Sequence, residues 1–187
     1  MRLFHFSETP GINAFVPRAV RVPAPRAPGM DWLNGPLVWA VEEQHQRLYL
    51  FPRDCPRILL WATAQTTAHD RATWLDTAGT ALAYIERAWL DCFSQATLWR
   101  YELPAHTFTD LGDAGMWVSR SRIDPIAVTH VVDLGASLAQ CQTELRVVDS
   151  LLSLRDAWNS SRHVSGIRLR HARGWQETTA PTNQTGA

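Results

Sequence analysis

The sequence predicts an α+β fold: a single domain built on a mixed, mainly antiparallel sheet with one long helix. Three observations carry this expectation. Short runs of alternating or continuous apolar character recur along the chain, each bounded by Pro, Gly or Asp, as strands are. One stretch, residues 67–93, instead places apolar residues at steps of three and four, the spacing of a helix. The strands are not regularly separated by helices, which excludes a wound parallel sheet.

The elements follow in order. "RLFHFS" alternates Leu3, His5 and Ser7 with Phe4 and Phe6, so it reads as a strand. "ETPGINAF" is a turn leading into a short helical turn. Residues 16–29 contain four Pro residues and are expected to run as an extended surface loop. "PLVWAV" (residues 36–41) is a short buried strand. "EEQHQRLYLF" suits a helix with Leu48 and Phe51 on its apolar face, stopped by Pro52.

"RILLWAT" (residues 57–63) is continuously apolar and reads as a central strand. Thr67 and Asp70 have capping-box spacing and open the long helix at about 67–93. Its stripe is Trp74, Ala78, Leu82, Ile85, Trp89 and Phe93. Gly79 inside it costs about 1 kcal/mol relative to Ala, which the stripe should outweigh. Glu86 is then expected on the solvent side or beside an Arg. "TLWRYEL" (97–103), "GMWVSR" (115–120) and "PIAVTHVV" (125–132) are strands; "LGASLAQCQ" is a short helix, "TELRVV" a strand, "SLLSLRDAW" helical and "HVSGIRLRH" a final strand. Residues 1–175 thus form the expected domain. Residues 176–187 lack any bulky apolar side chain and are expected to be a disordered tail.

Composition excludes several classes. The formal net charge is zero, so no basic field points to nucleic acid or a membrane surface. All 18 basic residues are Arg, whose planar forks suit phosphate or carboxylate. The nine Trp residues belong mainly in the core. Cys55, Cys92 and Cys141 lie far apart, without zinc spacing, and favour a reducing compartment. With no signal-peptide pattern and no apolar run of membrane length, the expectation is a soluble, cytoplasmic protein.

No metal, P-loop, dinucleotide-fold or nucleophile-elbow motif is present, and no metal is expected. Four polar clusters remain. His5 and Ser7 share one side of the first strand and either line a ligand cleft or, for His5, satisfy a backbone carbonyl. "FPRDCPR" (51–57) holds Arg53, Asp54, Cys55 and Arg57; it reads as a structural Arg–Asp pair, an anion clamp by Arg53 and Arg57, or a thiol activated by a neighbouring Arg. "FTDLGDAGMWVSR" (108–120) places Asp110 and Asp113 in a turn-rich loop before Trp117 and Ser119. "SSRHVSGIRLR" (160–170) carries His163, Ser165 and Arg168 in a segment that either seals a sheet or supplies donors.

The stretches "LFHFSE", "FVPR", "LVWA", "LYLFPRDCPRILLWA", "LGDAGMWVSR" and "GIRLR" together resemble a family of bacterial proteins of unknown function and about this length. More distantly, the order of elements is similar to small ADP-ribosyltransferases, including the rifamycin-modifying type. Those begin with a strand bearing a His before a small hydroxyl residue, here His5 and Ser7. An aromatic-bearing strand and helix follow, similar to "LVWAVEEQ", and then an acidic loop and a Ser-bearing strand, similar to "YELPAHTFTDLGDAGMWVSRSRIDPIAVTHVV". The resemblance implies NAD as co-substrate. It implies that His5 holds the nicotinamide-side ribose, that Trp39 or Tyr49 stacks on nicotinamide, and that Asp110 or Asp113 steadies an oxocarbenium-like transition state. Ser7, Arg53 and Ser119 complete the NAD-binding candidates. The acceptor, whether small molecule, protein or nucleic acid, is open. So are two alternatives: a non-enzymatic small-ligand or protein-binding domain on the same scaffold, and a hydrolase or transferase using Cys55 or a His.

Overall fold

The structure, a computed structural model, describes residues 1–74 and 79–175. In chain order it contains β1 (Leu3–Ser7), β2 (Val38–Glu42), β3 (Arg57–Trp61), α1 (Ala68–Trp74), β4 (Ala81–Glu86), α2 (Leu90–Gln95), β5 (Leu98–Leu103), β6 (Thr109–Asp110), β7 (Met116–Ser119), β8 (Ala127–Val131), α3 (Leu134–Gln140), β9 (Thr143–Val148) and β10 (His163–Ile167). Longer 3-10 segments lie at Glu43–Tyr49 and Leu151–Asn159. The α+β class is as the sequence predicts, but the strands form two sheets rather than one. One has six strands in the order β6-β7-β2-β1-β5-β8, the other four in the order β10-β3-β4-β9. All pairings are antiparallel except β4 with β9.

The chain divides into two compact units, Met1–Tyr49 with Thr97–Val132, and Leu50–Ala96 with Asp133–Ala187. The first holds the six-stranded sheet. Leu3, Val38, Ala40, Tyr101 and Leu103 on one of its faces are buried together with Phe15, Phe108 and Ile123. The opposite face carries Val118 and Trp39, which pack with Leu33, Leu37 and Met30. The Pro-rich loop is tied down at its start by a bridge between Arg18 and Leu37.

The second unit is built on β3 and β4, whose residues are all buried. Ile58, Leu60, Leu82 and Tyr84 pack there with Leu151, Leu154, Ala157, Ala172 and Trp175.

The long helix expected at residues 67–93 is replaced by α1, then β4, a 3-10 turn at Arg87–Trp89 and α2. The physical reason lies in β4. It sits between β3 and β9 with both faces covered, so it needs no polar alternation. Ala81, Leu82, Ala83, Tyr84 and Ile85 then make an unbroken apolar run, in which Leu82 and Ile85 stand three apart by coincidence. Gly79 and Thr80, just before β4, were the break signal. Of the expected stripe, Leu82 and Ile85 are fully buried on a strand, Phe93 is buried on α2 and Trp89 is half-buried. Ala78 and the tail at 176–187 lie outside the described residues. Among those residues, no helix is long and apolar enough to cross a membrane.

Candidate functional site

β1 is a central strand with two unequal partners. Against β5 it pairs along its whole length, from Leu3↔Leu103 to Ser7↔Trp99. Against β2 the ladder stops after Leu3↔Glu42 and Phe4↔Val41. The Glu43 N–H donates to the Arg2 carbonyl at 3.2 Å, so by strand alternation the peptide groups of Phe4 and Phe6 also face β2. The next ladder pair would be Phe6 with Trp39. Instead, the Trp39 carbonyl is met by His5 Nδ1 at 2.9 Å. An imidazole thus stands in place of a strand partner where two central strands part.

That contact fixes the ring. A carbonyl only accepts, so Nδ1 carries the hydrogen, and in the neutral ring Nε2 is the acceptor. The His5 ring also lies against Phe15, with centroids 4.6 Å apart. Phe15 in turn meets Tyr101 edge-on at 5.3 Å, and the Tyr101 hydroxyl donates to the Thr9 carbonyl at 2.8 Å. The segment from Thr9 to Phe15 therefore crosses over this face of the sheet, leaving His5 half-buried.

Register sorts the other candidates. His5↔Tyr101↔Val128 and Ser7↔Trp99↔His130 are two rows on one face. On the far side of β1, the Leu3↔Glu42 pairing gives Val38 and Ala40 that same face, and they pair with Ser119 and Trp117. Trp117 pairs with Asp110. So His5, Ser7, Ser119 and Asp110 share a face, as strand alternation predicts for the first two. Ser119 lies two strands from β1, roughly 10 Å before the parting is added, and Asp110 three strands away, roughly 14 Å. Trp39 belongs to the opposite face with Val118. Its ring packs among Leu33 and Leu37, under the Arg26 guanidinium at 5.7 Å. Only its carbonyl reaches His5. The Tyr49 hydroxyl donates to Met116 Sδ at 3.3 Å, and Met116 pairs with Val41 on that same opposite face.

The hydroxyls and carboxylates have local partners. Ser7 Oγ accepts the Thr9 N–H at 3.1 Å. Ser119 is buried; its Oγ accepts the Ser121 N–H and lies 3.2 Å from Thr107 Oγ1. Asp110 is exposed and closes a turn onto the Gly112 N–H at 2.8 Å. Asp113 is exposed in the same loop, where Gly112, Ala114 and Gly115 all have left-handed φ, 65°, 45° and 65°. At Gly115 a Cβ would stand 2.5 Å from both Glu42 Cγ and His45 Nδ1, so only Gly fits. His45 and Glu42 are themselves 2.7 Å apart.

Sequence reasoning missed Trp99, which sits beside Ser7 and stacks on His130 at 4.3 Å and 8°. The alternation of Trp99 and Tyr101 in "TLWRYEL" was the available signal. It also missed the Glu42–His45 pair, which only the packing of Gly115 brings into view.

The "FPRDCPR" loop belongs to the second unit. Arg53 is exposed, and its carbonyl accepts from Arg168 Nε at 3.1 Å. Cys55 is fully buried, and burial pushes its thiol up to about 12, outweighing the lowering effect of Arg57. That is the reverse of the shift a thiolate nucleophile needs. Glu86, expected in solvent or beside an Arg, is buried at the end of β4 and accepts the backbone N–H groups of Leu151 and Arg173. Asp70 accepts the hydroxyl and N–H of Ser161 at 2.6 and 2.8 Å, which holds its carboxyl below the ordinary range. Among the described residues, no group of three or more His, Cys, Asp or Glu side chains could hold a metal ion.

The chain belongs to a family of unknown function (DUF6886), whose model matches residues 4–172. No curated protein and no solved structure matches it.

Proposed function

We propose that the first unit binds NAD at the parting of β1 and β2 and acts as an ADP-ribosyltransferase-like protein. The observation that supports this reading is the His5–Trp39 contact. A ring held by Nδ1 presents a directed acceptor at Nε2, the group a ribose hydroxyl donates to. A fixed imidazole on a central strand is a rigid wall of a site rather than a mobile side chain. The arrangement modifies the roles expected of its neighbours. Ser7 steadies the chain after β1 through the Thr9 N–H, and the Trp39 side chain supports the parting from the other face. Trp99 is a better-placed aromatic for the ligand than Trp39 or Tyr49.

Transfer would break the bond between the nicotinamide nitrogen and ribose C1′, with nicotinamide leaving on the bonding pair. C1′ would then bond to an acceptor oxygen or nitrogen, whose proton passes to a base or to water. Positioning supplies much of such a barrier reduction, and a carboxylate near C1′ supplies more. Asp110, on the His5 face, is the carboxylate proposed for that task, with Asp113 as its neighbour in the loop.

A second reading, ligand binding without transfer, is favoured by one observation. Asp110 is engaged in its own turn three strands from β1.

Calorimetric titration of NAD, paired with an assay of nicotinamide release, separates the two. Binding with release supports the transferase. Binding without release supports the second reading. Loss of one hydrogen bond in His5→Ala should weaken binding by roughly 1 kcal/mol. A wild-type protein that does not bind NAD, or a His5→Ala variant of equal affinity, refutes the site.

A further inference from the structure

We propose that β8 is a self-association edge, at which two copies of this chain pair antiparallel about a two-fold axis through Thr129. An open strand edge invites pairing unless it is short, charged, covered or bent. The described sheets have four edges, β6, β8, β9 and β10. β6 has only two residues and includes Asp110. β9 carries Glu144 and Arg146, which pair with each other at 2.7 Å. β10 is half-buried along most of its length. β8 has five residues, no acidic or basic residue other than His130, and four exposed positions. Exposed Ile126, Val128 and Val132, at 65, 53 and 65 %, lie in or beside it.

The occupant follows from self-complementarity. Among the described residues β8 pairs only with β5, and the alternation set by β1 directs the peptides of Ala127, Thr129 and Val131 to β5. The peptides of Val128 and His130 therefore face outward. A two-fold axis at Thr129 sets Val128 opposite His130 of the second copy, and His130 opposite its Val128, so all four outward peptides bond reciprocally. Ile126, whose N–H turns inward to the Glu102 carbonyl at 2.9 Å, and Val132 lie beyond the two ends of this ladder, so Val128 is the exposed apolar side chain that the pairing covers. No like charges meet along this edge, and the chain's formal net charge of zero adds no repulsion between copies. Strand edges alone bury less than the roughly 1,000 Å² of a stable interface, so the dimer should be concentration-dependent.

Sedimentation velocity on the full chain, from about 1 to 300 µM, spans the affinities of weak dimers. The wild type should pass from monomer to dimer. Val128→Lys, at an exposed site, should remain monomeric with an unchanged circular-dichroism spectrum. The double variant Val128→Lys/His130→Glu sets Lys opposite Glu across the axis and should dimerise again, more weakly as salt rises. If Val128→Lys fails to fold, His130→Glu alone, which sets a charge opposite Val128 of the second copy, should remain monomeric and makes the same comparison. A wild type that stays monomeric, a lysine variant that still dimerises, or a double variant without rescue overturns the proposal.

Discussion

Replacing Glu86 by Ala tests whether the second unit is closed by a buried carboxylate. Glu86 is 3 % exposed. Its Oε1 accepts the Leu151 N–H at 3.1 Å, at the start of the Leu151–Asn159 segment. Both oxygens accept the Arg173 N–H, at 3.2 and 3.1 Å, beside the core residues Ala172 and Trp175. One side chain at the end of β4 therefore fixes two separate stretches of chain. Truncation strands the buried Leu151 donor, costing about 1–3 kcal/mol, breaks the part-buried bond to the Arg173 N–H at smaller cost, and adds a small cavity, so about 2–4 kcal/mol should be lost. Glu86→Gln keeps the shape but turns one acceptor into a donor, and should lose about half of that. Urea unfolding followed by circular dichroism would show a lower midpoint at unchanged slope. A Glu86→Ala protein within about 0.5 kcal/mol of wild type would refute the reasoning, because changes of that size are ordinary at surface sites.

Four further outcomes are expected. Iodoacetamide at pH 8 should modify exposed Cys92 and leave buried Cys55 intact until the protein unfolds, as peptide mass mapping would show; early Cys55 labelling would contradict its burial. The Cys55 thiol, ordinarily at 9.0, is held to about 12 in the fold, so the folded state keeps a proton that the unfolded state loses. Stability should fall by about 1.4 kcal/mol per pH unit above pH 9, and Cys55→Ala should flatten that slope. Asp70 is depressed below its ordinary 3.8, so its contribution is complete above that pH and is lost as pH falls through the folded value; acid titration of Asp70→Asn should lack that step. Gly115→Ala should cost about 2–4 kcal/mol from left-handed strain and the clash with Glu42 and His45, measured by thermal unfolding, and no loss would mean the loop moves freely aside.

Where polar and apolar residues alternate along a segment, its sequence discloses the structure. In "LFHFS" Leu3 and Phe4 are buried on opposite faces, but His5 and Ser7 alternate with Phe4 and Phe6, and that alternation reports the strand and which side His5 and Ser7 share. β7, β9 and β10 also lie within the stretches their sequences suggest. β4 is the opposite case. Enclosed between β3 and β9, it has no polar face to reveal its period, and a helix fits the same residues. The candidate site divides in the same way. His5 and Ser7 are legible from alternation. The Trp39 carbonyl is not, because a backbone acceptor has no letter in the sequence, and the face Trp39 occupies depends on register between strands far apart in the chain. Arg53 joined the candidates through its guanidinium, yet it belongs to the second unit rather than the one holding His5.

The interleaving of the two units sets the order in which a ribosome can complete them. When Ala96 has been made, β1 and β2 exist, but β5, the partner that holds β1 along its full length, does not. β3 and β4 likewise emerge before β9, the parallel neighbour that covers β4. The first unit can close only after Val132, and the second only when Ala172 and Trp175 reach its core. At about 5–20 residues per second, the apolar strands β3 and β4 must wait several seconds for their last partners. Nascent chains halted after Ala96 should therefore be open to protease and to chaperone holdases at β3 and β4, and protection should arrive late, with the final residues rather than strand by strand.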